Sequence, residues 1–184
     1  SVSKLGTATV SRAELSQELR REIDAAGTLA SIEDAQNIVE NWRRHGALSV
    51  FTNCCFDRVH PGHIGLLHAA AKEGDKLIVA LNTDRSVKRL KGEGRPIQDE
   101  IARATVIGAL RDVDMVVLFD EETPLQVIQT LCPDVPVKGA DYREDEVVGG
   151  RFVKENGGRV ALVELVNNQS TSRIVQSIKP SQSV

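Results

Sequence analysis

The sequence predicts an α/β fold: a doubly wound parallel sheet of about five strands with helices on both faces. Three observations predict it. From Leu48 onward, short apolar runs alternate with longer stretches of helical periodicity. The runs are continuously apolar rather than alternating with polar residues, as in strands buried on both faces. With 184 residues, 41% of them hydrophobic, the chain can bury roughly 70% of its unfolded surface in one such core.

Two helices are expected before the first strand. Ser11 and Glu14 fit a capping box, and Leu15, Leu19 and Ile23 follow at helical spacing until Gly27. A second helix opens near Ser31, sets Ala35, Ile38 and Trp42 on one face, and stops at Gly46. Strands are expected at 48–52, 76–81, 115–119, 135–138 and 160–165, with helices at 63–73, 99–110, 124–131, 145–156 and 172–178. The sheet would thus begin at Leu48, leaving residues 1–46 as a helical extension or linker and residues 47–180 as the domain. Ligands of parallel α/β sheets sit beyond the carboxyl ends of the strands, so the loops there are the places to look for chemistry.

Composition narrows the function. A net charge of −3 and six aromatic residues argue against nucleic acid as the main partner, which favours a basic face with stacking rings. No apolar run approaches the ~20 residues of a membrane span, and the first ten residues lack the apolar core of a signal peptide. Cys54, Cys55 and Cys132 form no C-x-x-C spacing, which fits a reduced, cytoplasmic setting.

Two segments stand out. Residues 88–96 read KRLKGEGRP, two glycines among four basic residues, and suggest a mobile anion-seeking loop; a solvated surface loop is the plain alternative. After the first strand the chain runs from Phe51 to His63 as FTNCCFDRVHPGH. Pro61 suits a first helical turn, Gly62 permits close backbone approach, and His60 and His63 stand at i and i+3 on one helix face. Imidazole donors beside a helix N-terminus make an anion site, because free N–H groups and the helix dipole both favour negative charge. A satisfied helix start or half of a metal site are the alternatives, and a zinc site lacks a convincing set of further ligands. The chain contains no GxxxxGK[ST] phosphate loop.

The HPGH run resembles the HxGH signature of the nucleotidylyltransferase superfamily. Residues 50–178 resemble more specifically the adenylyltransferase domain that makes ADP-heptose from heptose 1-phosphate. The matching pieces are TNCCFDRVHPGHIGLLHAA (52–70), GDKLIVALNTDRSVKRLKGEGRPI (74–97), VDMVVLF (113–119), PDVPVKGADY (133–142) and NGGRV (156–160), with echoes in ETP (122–124) and QSTS (169–172). SKLGTATVSRAEL (3–15) resembles the end of the sugar-kinase domain that precedes this transferase in bifunctional members.

The resemblance implies a Rossmann-like fold and transfer of AMP from ATP to D-glycero-β-D-manno-heptose 1-phosphate, with Mg2+ as cofactor. It further implies a covalently linked kinase domain and a homodimer. His60, His63, Lys91 and Arg103 would be catalytic, Arg103 supporting the phosphates; a surface salt bridge is its plain alternative. Thr52, Asn53, Cys55, Phe56 and Gly62 would line the nucleotide after the first strand, Lys138 and Gly139 after the fourth, and Ser170, Thr171 and Ser172 at the last helix. A simple N-cap explains Ser170 almost as well. Asp57, Asn82, Asp84 and Arg95 would bind the sugar phosphate, a turn with a helix cap being the alternative for Asn82 and Asp84. Asp141 would help place the magnesium.

Cytidylyl transfer to glycerol 3-phosphate or a related alcohol phosphate is the alternative within the superfamily. A nucleotide-binding module with impaired catalysis is the alternative outside enzymes. The latter rests on Cys54, which stands where the family has glycine; Ala140 and Ser172 are milder departures. A cysteine forced to φ > 0 there would cost of order 1 kcal/mol and crowd the ligand.

Overall fold

The computed structural model of the protein describes residues 28–164. The helix expected at 11–27 and the helix expected at 172–178 therefore lie outside the described residues. Among the described residues six parallel strands form one sheet: β1 (Leu29–Ala30), β2 (Ser49–Cys54), β3 (Lys76–Asn82), β4 (Met115–Phe119), β5 (Val135–Gly139) and β6 (Ala161–Val163), in the order β1-β4-β3-β2-β5-β6. Helices α1 (Ile32–Arg44), α2 (Pro61–Ala71), α3 (Asp84–Lys91), α4 (Glu100–Gly108), α5 (Leu125–Leu131) and α6 (Gly150–Glu155) connect them.

The strand residues alternate between two cores. Val50, Leu77, Val79, Leu81 and Val116 pack with Leu67 and Ala70 of α2 and with Ala104 and Ile107 of α4. Phe51, Ile78, Ala80, Met115 and Val117 pack on the other face with Ala35 and Val39 of α1 and with Val127, Ile128 and Leu131 of α5. The sheet is doubly wound because successive strand residues point to opposite faces and both faces are apolar.

Local rules place most boundaries. Ser31 caps α1 by accepting the Asp34 N–H at 3.1 Å, and Arg43 and Arg44 sit in its last turn, where the dipole favours cations. Pro61 occupies the first turn of α2, two residues before the expected start, because its missing N–H and fixed φ suit that position.

Four expectations are corrected. The sheet begins with β1 rather than at Leu48, and it has six strands rather than about five: Leu29 pairs with Val116 and Ala30 with Val117. A strand of two residues carries no detectable periodicity; β1 pairs with β4, and α1 packs on the sheet through Ala35 and Val39. On α1 the buried stripe is Ala35, Val39 and the partly buried Trp42, whereas Ile38 is 37% exposed. Lys88, Arg89 and Lys91 belong to α3, so the basic loop shrinks to residues 92–96, with Gly92 (φ 87°) and Gly94 (φ 80°) in the left-handed region. The helix expected to start at 145 starts at Gly150, after a 3-10 turn over Glu144–Glu146 and a left-handed Gly149 (φ 75°).

The chain leaves β2 toward β3 and β4 on one side and returns to place β5 and β6 on the other. The crevice beyond the carboxyl ends of β2 and β5 is thus the topological switch point, where such sheets bind ligands.

Candidate active site

At the switch point β2 and β5 are tied by side chains as well as backbone. The buried Thr52 hydroxyl donates to the Val137 carbonyl at 3.1 Å, and Lys138 Nζ donates to the Asn53 carbonyl at 3.0 Å. The Thr52 side chain expected at the nucleotide therefore serves the sheet. Cys54 is the last residue of β2, in extended conformation, so the strain expected there is absent. The left-handed residue is Phe56 (φ 46°), fully buried two positions later. Cys54 still bears on the site, since its Sγ lies 3.9 Å from His63 Nε2.

His60 is the N-cap residue of α2, and its side chain makes no capping bond. The His60 and His63 rings stack at 3.8 Å between centroids, and the Phe56 ring tilts against His63 at 4.9 Å. Both Nδ1 atoms are buried and lack a hydrogen bond of normal geometry. Pro61 has no N–H, and the His63 and Ile64 N–H groups donate to the His60 carbonyl at 2.9 and 3.3 Å. Anion-binding capacity therefore rests on the imidazoles and the buried Gly62 backbone rather than on a full row of free N–H groups.

Burial lowers the pKa of both rings from 6.5; His63 adds to the effect on His60, and the Lys91 charge adds to it on His63. A looser approach of the Arg58 backbone opposes the shift at His63. Both imidazoles are neutral at pH 7, each with one N–H to donate. The sign of the pH effect follows. As pH falls below 6.5 the unfolded chain takes up these protons before the native state does, so stability is full above 6.5 and declines toward the depressed values. The melting temperature should fall over that window in the parent, and a His60→Asn/His63→Asn double variant should lose this component. An equal fall in both proteins would contradict the assignment.

Lys91, at the exposed C-terminal end of α3, acts electrostatically on His63, Cys55 and Asp57. Lys138 is buried enough that desolvation pushes its pKa down, against the influence of Cys54, Asp141 and Cys55. Gly139 ends β5 in the buried floor of the crevice. Asp141 lies exposed just beyond it. Among the described residues no group of three or more acidic, histidine or cysteine side chains could hold a metal.

Several residues expected at the substrate face inward instead. Arg103 is 0% exposed: its guanidinium donates to the Cys55 carbonyl and the Asp84 carboxylate, each at 2.7 Å, and to the Gln98 carbonyl at 3.1 Å. It holds protein rather than phosphate, and the Asp84 oxygen it engages is withdrawn from substrate. Asn82 is buried, donating to the Ser86 hydroxyl at 3.0 Å and accepting the Cys55 thiol at 3.5 Å. Asp57 accepts the Ile97 N–H at 2.7 Å and forms an ion pair with Arg95. Burial raises the Asp57 pKa, but the Ile97 N–H, Arg95 and Lys91 outweigh it and hold the carboxyl below its usual range. Asp57 and Arg95 thus fasten the basic loop to the β2–α2 turn. Ser170, Thr171 and Ser172 lie outside the described residues.

Phe56 packs its ring against His63. The Asp84–Arg103–Cys55 link joins partners 19 and 48 residues from Arg103 in the chain. No local pattern announces a contact of that span.

Residues 51–177 match the cytidylyltransferase-like family. The chain belongs to this family. Its relatives include the bifunctional protein HldE of Gluconobacter oxydans, 65% identical over 183 residues, covering 100% of this chain and 38% of the relative. HldE of Azorhizobium caulinodans is 59% identical over 177 residues, covering 95% of this chain and 37% of that one. The chain thus spans well under half the length of these relatives. Among solved structures, the lipopolysaccharide core biosynthesis protein from Thermoplasma volcanium superimposes with a TM-score of 0.55 at 31% identity, over 67% of this chain and 100% of that one. Pantoate-β-alanine ligase from Francisella tularensis shares the fold alone, with a TM-score of 0.51 at 16% identity over 79% and 69% of the two chains. The cytidylyltransferase-like membership accords with the parallel sheet and with the histidine pair at its switch point. Among the described residues no helix is long and apolar enough to cross a membrane.

Proposed function

We propose that this chain is a sugar-phosphate adenylyltransferase, transferring AMP from ATP to D-glycero-β-D-manno-heptose 1-phosphate. The stacked His60–His63 pair, opening α2 at the switch point, carries the reading. The extended resemblance across residues 50–178, the HldE relatives and the similarity to the lipopolysaccharide core biosynthesis protein support the sugar substrate over an alcohol phosphate.

The sugar-phosphate oxygen attacks the α-phosphorus; the new O–P bond forms as the bond to the β-phosphate breaks, and pyrophosphate leaves. Little covalent chemistry falls to the protein, so positioning and charge stabilisation supply the rate. His60 and His63 donate N–H groups to phosphate oxygens as charge develops. Lys91 and Lys138 supply positive charge, the Asn53 and Cys55 backbone and Gly139 form the crevice floor, and the hydroxyls of Ser170, Thr171 and Ser172 would serve the nucleotide phosphates. Asp57 and Arg95, paired with each other, hold the basic loop beside the crevice, and Asn82 and Asp84 brace the turn behind it. Magnesium carried on the triphosphate and held by Asp141 would neutralise phosphate charge.

The name of the bifunctional relatives and the segment 3–15 support a covalently linked sugar-kinase domain in the full-length protein. A cytoplasmic homodimer completes the proposal. Pyrophosphate release across four nucleotides and several sugar and alcohol phosphates tests the reaction. Release from ATP with heptose 1-phosphate and magnesium is expected. Clear preference for CTP with glycerol 3-phosphate would overturn the substrate assignment.

A further inference from the structure

We propose that Arg103 is a positioning residue that sets the His63 ring through the Cys55 carbonyl and the left-handed Phe56. The inference rests on the adenylyltransferase reading for its kinetic arm only.

The geometry is a chain of contacts. Arg103 Nη1 donates to the Cys55 carbonyl at 2.7 Å, and this carbonyl belongs to the peptide that joins Cys55 to Phe56. The orientation of that peptide and the φ of Phe56 are coupled, because both turn on the same plane. Phe56 is fully buried at φ 46°, a region that a non-glycine residue keeps only where its surroundings hold it there. Its ring lies 4.9 Å from the His63 ring, which in turn stacks on His60 at 3.8 Å. The other two arms of the guanidinium reach Asp84, at the start of the helix bearing Lys91, and the Gln98 carbonyl, just past the basic loop. Glu100 fastens the same junction by accepting the Asp84 N–H at 2.9 Å. One buried side chain thus registers the histidine turn, the lysine helix and the loop end against each other. Complete burial also denies it direct contact with phosphate.

Arginine suits this role because a planar fork can serve three acceptors in fixed directions, which a lysine ammonium on a flexible stem cannot. The test uses Arg103→Ala, Arg103→Lys and Asp84→Asn in the full chain. The kinetic readout is kcat and KM for ATP; the structural readout is the His63 ring proton resonance, which the Phe56 ring shields. Misplacing reacting groups by about 1 Å costs about 10²-fold, so Arg103→Ala should lose about 10²-fold in kcat with KM changed less than about threefold. Arg103→Lys should recover little, added guanidinium should restore about tenfold in Arg103→Ala, and the His63 resonance should move in both variants.

A raised KM at parental kcat would mean that Arg103 meets phosphate, and would overturn the proposal. A lower melting temperature with parental kcat and an unmoved His63 resonance would reduce Arg103 to a core residue, and would overturn it too. If Arg103→Ala does not fold, Arg103→Lys and Asp84→Asn decide by the same readouts. If the parent itself releases no pyrophosphate with any sugar phosphate, the function assignment fails while the His63 resonance still judges Arg103.

Discussion

Replacing either His60 or His63 by alanine is expected to lower turnover by ~10²–10³-fold with the melting temperature close to the parent's. The stability half of this expectation comes from the bonds the rings do not make. Neither Nδ1 has a partner of normal geometry, and His60 caps α2 without its side chain. Truncation therefore forfeits the ring contacts and, at His63, the long 3.9 Å contact with Cys54 Sγ. The activity half comes from where the charge develops. A neutral imidazole aimed at a phosphate oxygen contributes most when that oxygen gains charge, so kcat should fall more than ATP affinity. Stacked at 3.8 Å, the two rings act as one unit, and the double variant should lose much less than the product of the single losses. Steady-state kinetics and thermal melts on the three variants check this. Turnover within a few-fold of the parent in both single variants would return the pair to the status of an ordinary helix start.

A chain beginning at Ala47 is expected not to fold cooperatively. That truncation removes β1 and α1, whose Ala35 and Val39 cover Phe51, Ile78, Met115 and Val117 on one face of the sheet. It also deletes Arg43, which donates to the Leu131 and Cys132 carbonyls at the C-terminal end of α5 at 3.4 and 2.7 Å. Exposing a large buried side chain costs about 1.5–3 kcal/mol, and four such losses are comparable with the 5–15 kcal/mol by which domains are ordinarily stable. Circular dichroism and a dispersed amide spectrum are the measurements. A sharp two-state melt near the parental temperature would show that the domain begins at residue 47 after all.

What the sequence determined by itself is whatever depends on neighbours within a few residues. The apolar run 115–119 is strand β4 to the residue, Ser31 is the cap of α1, and Pro61 begins the helix that carries His60 and His63. Helix caps, turn residues and strand runs act within about four positions, so they can be read in order along the chain. Tertiary structure alone decided the rest. The edge strand Leu29–Ala30 forms because β4 offers it an edge, and no periodicity exists in two residues. Val39 rather than Ile38 is buried because the sheet selects one of two nearly equivalent stripes on α1. The left-handed turn falls on Phe56 rather than Cys54 because Cys54 still pairs with Leu81 in the ladder. Arg103 and Asp57, which a linear reading assigns to phosphate and sugar, face protein groups that strand order brings from 48 and 40 residues away. A buried charge must find its partner wherever the fold supplies one, and the sheet order that supplies it is a property of the whole chain.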